Sequence, residues 1–242
     1  MIFISPPFGT YLNLPNTISV KGSFTLQARP GKWLQIIKTL RYSFKHKGWI
    51  NKIGLRNPGI DYAIEKYKNT NHIVSIAILK EDDIEPLLQK IPDNMNLEIN
   101  ISCPNTDKHL INKDIHKFLN DNRRWCIIKL SPITSMISID NYYKQGFRQF
   151  HCSNTLPTKF LEDKTYDGGI SGRTLIPFTL KLVKEIKDKY PDTEVIAGGG
   201  IRDLQTLDKY QKAGADHFSV STLLFSPIKF SLIYLYMFNK TQ

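Results

Sequence analysis

Eight short apolar runs recur along the chain, each followed by a segment of different periodicity: "IFIS", "TISVKG", "HIVSIAIL", "NLEINIS", "WCIIKLS", "FRQFHCS", "EVIAGGG" and "HFSVSTLL". Several are continuous rather than alternating, as expected of parallel strands covered on both faces. Between them lie helix candidates. "DIEPLLQKIP" opens with acids and stops at a proline, and "DIHKFLNDN" and "SIDNYYKQG" are short, the latter capped by Gly146. "IPFTLKLVKEIKDKY" and "RDLQTLDKYQKAG" carry apolar residues at spacings of three and four. "SPIKFSLIYLYMF" reads as a buried terminal helix. This alternation predicts an α/β fold, a (β/α)8 barrel rather than an open sheet. No internal repeat, low-complexity tract or long linker interrupts it, so residues 1–242 read as one domain.

The rhythm breaks in two places. After the first strand, "YLNLPNT" is too short for a full helix, so the first helix of the barrel is reduced. Residues 30–60 hold β-rich runs and then "INKIGLRNPG", and read as an excursion at the barrel mouth, where function normally sits.

Composition narrows the function classes. Three cysteines, Cys103, Cys126 and Cys152, stand far apart without a CxxC pair, which argues against a disulfide framework and against a metal site. A cytoplasmic location follows as the expectation, since no segment reaches the ~20 apolar residues of a membrane span. The net charge of +11, from 33 Lys and Arg against 22 Asp and Glu, favours anionic partners. The basic residues are scattered, however, with "RYSFKHKG" the densest patch, as on an ordinary solvated surface.

In a parallel barrel the C-terminal ends of the strands carry the chemistry. Collected there are Lys21, then Asn100, Ser102, Cys103 and Asn105, then Lys129, then Ser153, Asn154 and Thr155, then Gly198 to Gly200, and finally Ser221 and Thr222. Two lysines, several amides and glycine turns are present, with no carboxylate pair. "AGGGIRD" and "SVSTLLFSP" fall after strands seven and eight, the usual phosphate site of this architecture. Asn51, Asn100, Asn105 and Asn154 offer paired donors and acceptors suited to a planar polar heterocycle. Cys126 and Cys152 lie in apolar runs and read as inert; Cys103, before a proline and a polar loop, is the candidate base or nucleophile.

These residues resemble a known family. "LEINISCPN" is similar to the "ELNLSCPN" signature of class 1 dihydroorotate dehydrogenases, "GGISGRTLIP" to their Gly-rich segment, and "INKIGLRNPGIDY" to their "INSMGLPNPGFDY" type loop. "SVKGSFTLQARPG", "IIKLSP", "VIAGGGI" and "GADHFSVSTLL" follow in the family's order, from about residue 18 to 225. The resemblance implies FMN as cofactor and oxidation of dihydroorotate to orotate in pyrimidine synthesis. Cys103 would remove the C5 proton while hydride leaves C6 for flavin N5. It further implies that Lys21, Asn51, Asn100, Asn105, Asn154 and Thr155 bind substrate, with the backbone of Ile53, Gly54 and Leu55 over the carboxylate. On the cofactor side it implies Lys21, Asn100, Lys129, Ser153, Gly172, Gly199, Gly200, Ser221 and Thr222. A soluble electron acceptor such as fumarate and a homodimer are expected, with no nucleic-acid or membrane partner. Departures are the short chain, "SPPFG" after strand one, a short loop behind Cys103, and Ser221 where glycine is common. Rival readings are a dihydropyrimidine dehydrogenase-like or tRNA dihydrouridine synthase-like barrel, and a degenerate barrel that binds FMN without catalysis.

Overall fold

The computed structural model describes residues 1–101, 114–161 and 167–240. In chain order its strands are β1 (Ile2–Ile4), β2 (Thr17–Phe24), β3 (Arg41–Ser43), β4 (Gly48–Asn51), β5 (Ile73–Ala77), β6 (Leu97–Asn100), β7 (Cys126–Leu130), β8 (Gln149–Cys152), β9 (Leu156–Pro157), β10 (Gly169–Gly172), β11 (Glu194–Gly198) and β12 (His217–Val220). The helices are α1 (Lys32–Thr39), α2 (Ile60–Tyr67), α3 (Ile84–Lys90), α4 (Met136–Lys144), α5 (Ile176–Lys189), α6 (Leu204–Lys212) and α7 (Pro227–Lys240).

Strands β1, β12, β11, β8, β7, β6, β5 and β2 close a parallel barrel in that order. All eight expected apolar runs supply its strands, and the fold is the (β/α)8 barrel. Side chains alternate between the inside of the barrel and the helical shell. Phe3, Val20, Ile73, Trp125, Ile127 and Ile196 plug its lower interior, with Phe3 set edge-on to Trp125. Outward residues such as Val74, Ile76, Ile99 and Ile128 form the larger core beneath the helices. At the strands' N-terminal end, Glu194 accepts from Arg124 and Gln149 and is bonded to His217. That end of such a barrel serves stability.

The first helix is indeed reduced: a 3-10 turn at Phe8–Thr10 stands between β1 and β2. Gly9 makes the tight return possible, because a Cβ there would lie 2.0 Å from the Ile4 carbonyl oxygen and 2.4 Å from that of Val20. Residues 30–60 differ in part from the expected β-rich runs followed by a turn-rich segment. Lys32–Thr39 is helical, and only β3 and β4 are extended, in a second sheet ordered β3-β4-β10-β9. "DIHKFLNDN" forms only a 3-10 turn at Ile115–Phe118, whereas Gly146, one residue beyond the α4 cap, has φ 104° as a C-terminal glycine should. The terminal helix is not buried as expected. Phe230 and Ile233 of α7 face the core, but Ile228, Leu232 and Leu235 are exposed. Its sequence is apolar all round, which hides the fact that one face alone finds a partner. Among the described residues no helix is long and apolar enough to cross a membrane.

Gly9→Ala is expected to lower the unfolding free energy by about 1–3 kcal/mol through overpacking against fixed backbone, read as a lower urea midpoint at unchanged m-value.

Candidate functional site

A cleft opens at the C-terminal ends of the barrel strands, where an α/β barrel carries its chemistry. Its walls come from β1 (Ser5, Pro6), β7 (Lys129), β8 and the turn after it (His151, Ser153, Asn154, Thr155), β10 (Ser171, Gly172), β11 (Gly198–Ile201) and β12 (Ser219–Leu223). Of the residues expected on the cofactor side, Lys129, Ser153, Gly172, Gly199, Gly200, Ser221 and Thr222 all line this cleft.

The glycine positions are steric requirements. Gly199 and Gly200 have φ of 98° and 78°, and a Cβ on Gly200 would meet the Gly172 carbonyl oxygen at 2.7 Å. Backbone can therefore approach a ligand closely where a side chain would intervene. Thr222 opens a 3-10 turn, and Ser153 Oγ is tied to Thr179 Oγ1 at 2.9 Å, with Thr179 donating on to the Gly198 carbonyl at 3.1 Å. Ser221 donates to the Pro6 carbonyl oxygen at 3.1 Å. The serine that departs from the family thus fastens the proline-bearing turn, the other departure, to β12.

The electrostatic centre was not among the expected residues. Glu98, wholly buried on β6, points into the barrel. Its Oε1 accepts from Lys129 Nζ at 3.1 Å and from Ser75 Oγ at 2.8 Å, and its Oε2 lies 2.6 Å from His151 Nδ1. Burial alone would raise the Glu98 carboxyl, but its partners, Lys129 foremost, bring it down to about 2. Burial, helped by Lys129, pushes His151 below its ordinary value. A carboxylate oxygen at 2.6 Å can only accept, so Nδ1 is the ring nitrogen that donates to Glu98. The polar residue in the alternation of "NLEINIS" and the histidine in "FRQFHCS" were the only sequence signals for this cluster. Both positions point inward by strand parity, and the register of β6, β7 and β8 brings them together with Lys129.

A second branch holds the amides. Ser23 Oγ lies 2.8 Å from Ser75 Oγ, Asn100 Nδ2 donates to Ser23 Oγ at 3.1 Å, and Asn154 Nδ2 donates to Asn100 Oδ1 at 3.2 Å. Asn100 and Asn154 are thus brought together as expected, beside Thr155, whose N–H donates to Asn154 Oδ1. Asn51 ends β4 opposite Gly169, which abuts Thr155. Ile53, Gly54 and Leu55 follow it on the mouth excursion and do not line the cleft, as Asn51 itself does not. Cys103 and Asn105 lie outside the described residues. Cys126 and Cys152 are buried, and burial pushes the Cys126 thiol up to about 12 and that of Cys152 higher still, which fits inert thiols.

Lys21 departs from the expectation. It pairs in register with Val74 and shares that residue's outward face, whereas Gly22 beside Ser75 takes the inward position. Its Nζ donates to the Gly9 carbonyl at 2.7 Å and to Asn13 Oδ1, and lies 5.9 Å from the centre of the Tyr67 ring. Burial, with repulsion from Lys66, brings this ammonium down to about 8. One residue of register sends the side chain to the opposite face of a strand. Lys21 braces the first turn, and Lys129 is the lysine in the cleft.

The family model for dihydroorotate dehydrogenase matches residues 11–231. The catalytic subunit of dihydroorotate dehydrogenase B (NAD(+)) from Thermotoga maritima is 29% identical over 252 residues, covering 93% of this chain and 91% of that one. The same subunit from Petrotoga mobilis is 30% identical over 236 residues, covering 86% and 76%. A putative dihydroorotate dehydrogenase A (fumarate) from Streptococcus agalactiae is 26% identical over 244 residues, covering 85% and 76%. Among solved structures, DHODH in complex with ferulenol from Eimeria tenella aligns with a TM-score of 0.63 over 86% of this chain and 70% of that one, at 20% identity, a likeness of fold.

The Glu98 cluster makes acid stability specific. A depressed carboxyl contributes stability that is full above its unfolded value, near 4.5, and is lost as pH falls toward about 2. Glu98→Gln, which leaves Lys129 buried without its counter-charge, is expected to cost about 3–5 kcal/mol at pH 7. Urea titrations should show that deficit shrinking between pH 4.5 and 2, because the wild type loses there what the variant never had.

Proposed function

The chain belongs to the dihydroorotate dehydrogenase family, and on that premise we propose that it is a class 1 enzyme that uses FMN to oxidise dihydroorotate to orotate in pyrimidine synthesis. The observation that carries this reading is the cleft itself: one wall of close-approach glycines, an opposite lysine, and two coupled amides at its edge. These residues fit FMN. Gly172, Gly199, Gly200, Ser221 and Thr222 would receive the ribityl phosphate with backbone donors, Ser153 would stand beside it, and Lys129 would face the isoalloxazine. Bound FMN supplies the acceptor for the hydride that leaves C6 of the substrate.

The chain's own groups do the rest. Asn51, Asn100, Asn105, Asn154 and Thr155 orient the pyrimidine, and the backbone of Ile53, Gly54 and Leu55 caps its carboxylate. The Cys103 thiolate takes the C5 proton as the C6 hydride leaves, so the substrate loses one proton and one hydride and gains the ring double bond of orotate. Lys129 places a fixed cation where negative charge collects on reduction, and Glu98 holds that cation in place before the reaction begins. No role in the chemistry falls to Lys21, which faces away from the cleft. A soluble oxidant would be needed to complete the cycle; the relatives' names cover both NAD(+) and fumarate. A homodimer in solution completes the proposal.

Purified protein should carry flavin absorbance near a 1:1 ratio, and anaerobic dihydroorotate should bleach it in a stopped-flow half-reaction. Cys103→Ala should keep the colour and slow bleaching by about 10²-fold or more. Flavin that no dihydropyrimidine bleaches would overturn the enzyme reading.

A further inference from the structure

His151 is a wholly buried imidazole with one nitrogen committed and the other not. Its Nδ1 is held by Glu98 Oε2 at 2.6 Å, whereas Nε2 has no hydrogen-bond partner among the described residues although His151 is only 2% exposed and lines the cleft. With Nδ1 donating to Glu98, Nε2 carries a lone pair and is an acceptor. Nε2 is not sealed in the interior: it opens on the cleft, where a ligand donor can take the place of water.

Strand order says which part of a ligand that is. β8 stands between β7 and β11 in the barrel. His151 is in register with Lys129 on one side and with Ile196 on the other, two residues before Gly198. A Cβ built on Gly198 would come within 3.4 Å of Nε2. The imidazole therefore lies between the cleft lysine and the glycine wall, below the span that joins a ring at the first to a phosphate at the second.

We propose that His151 is a cofactor-binding residue whose Nε2 accepts a hydrogen bond from a hydroxyl of the polyol chain linking the flavin ring to its phosphate, in the tautomer that Glu98 imposes. This rests on the FMN reading above. The residue does two things through its two nitrogens. Nδ1 occupies one oxygen of Glu98 and leaves the other to Lys129 and Ser75. Nε2 offers the polyol an acceptor at a fixed place. The ring does not change protonation state in this role; protonation would abolish it.

The test titrates apoprotein with FMN and with an FMN analogue whose ribityl hydroxyls are replaced by hydrogen, following quenching of flavin fluorescence. The proteins are wild type, His151→Met and His151→Gln. Gln keeps a donor for Glu98 and an acceptor for the ligand, and so guards against a mere folding defect. Wild type is expected to prefer FMN to the analogue by about three- to tenfold more than His151→Met does, the worth of one hydrogen bond, with His151→Gln between them. Equal preference for FMN over the analogue in wild type and His151→Met would overturn the role of His151 while leaving the cofactor assignment standing. Failure of wild-type apoprotein to bind FMN would overturn both, and the two failures are told apart by the wild-type titration alone.

Discussion

A carboxylate sealed inside a barrel must be compensated, and the compensation of Glu98 organises everything above it. Its two oxygens fix Lys129, Ser75 and His151 at the level where packed apolar layers give way to the cleft. Ser75 then passes the order on to Ser23, Asn100 and Asn154. Such an interior ion pair is a poor investment in stability alone, since apolar residues would fill the space at lower desolvation cost. What it provides is placement: a cation, an acceptor nitrogen and two amides whose positions are set by one charge rather than by loops.

Much of this was legible in the sequence, and the failures have a common cause. The eight strands were visible because a doubly covered parallel strand must be apolar over several successive residues, and "IFIS" and "CIIKL" meet that demand at strand length. Lys129 was read as a residue of the strand ends, and on its regular strand its side chain lines the cleft. Lys21 does stand near the end of its strand, but its side chain shares the outward face of Val74, and position along a strand does not say which face a residue takes. Glu98 and His151 escaped because each stands in a run whose neighbours dominate the reading, and their significance exists only once three strands are set side by side. The α7 face escaped for the opposite reason: its sequence is apolar on every side, so nothing in it marks the side left bare. As for Cys103 and Asn105, their geometry lies outside the described residues, and their roles rest on the family motif and its chemistry.

The two departures around the first turn belong together. Prolines after β1 remove backbone donors from that side of the cleft, and the Ser221 hydroxyl engages a carbonyl there. Lys21, turned away from the cleft, supports the same turn from behind through Gly9 and Asn13. With no full helix to cover the β1–β2 crossing, polar ties to backbone oxygens take its place.

The second sheet has a kinematic consequence. β4 carries Asn51 at its end, and its antiparallel neighbour β10 carries Gly172 of the glycine wall, with Gly48 set opposite Gly172 and Asn51 opposite Gly169. The two strands lie more than a hundred residues apart in the chain yet behave as one plate, since sliding either along the other breaks their shared ladder. The rim that would meet a pyrimidine and the wall that would meet a phosphate are therefore not independent hinges. Whatever tilts one tilts the other.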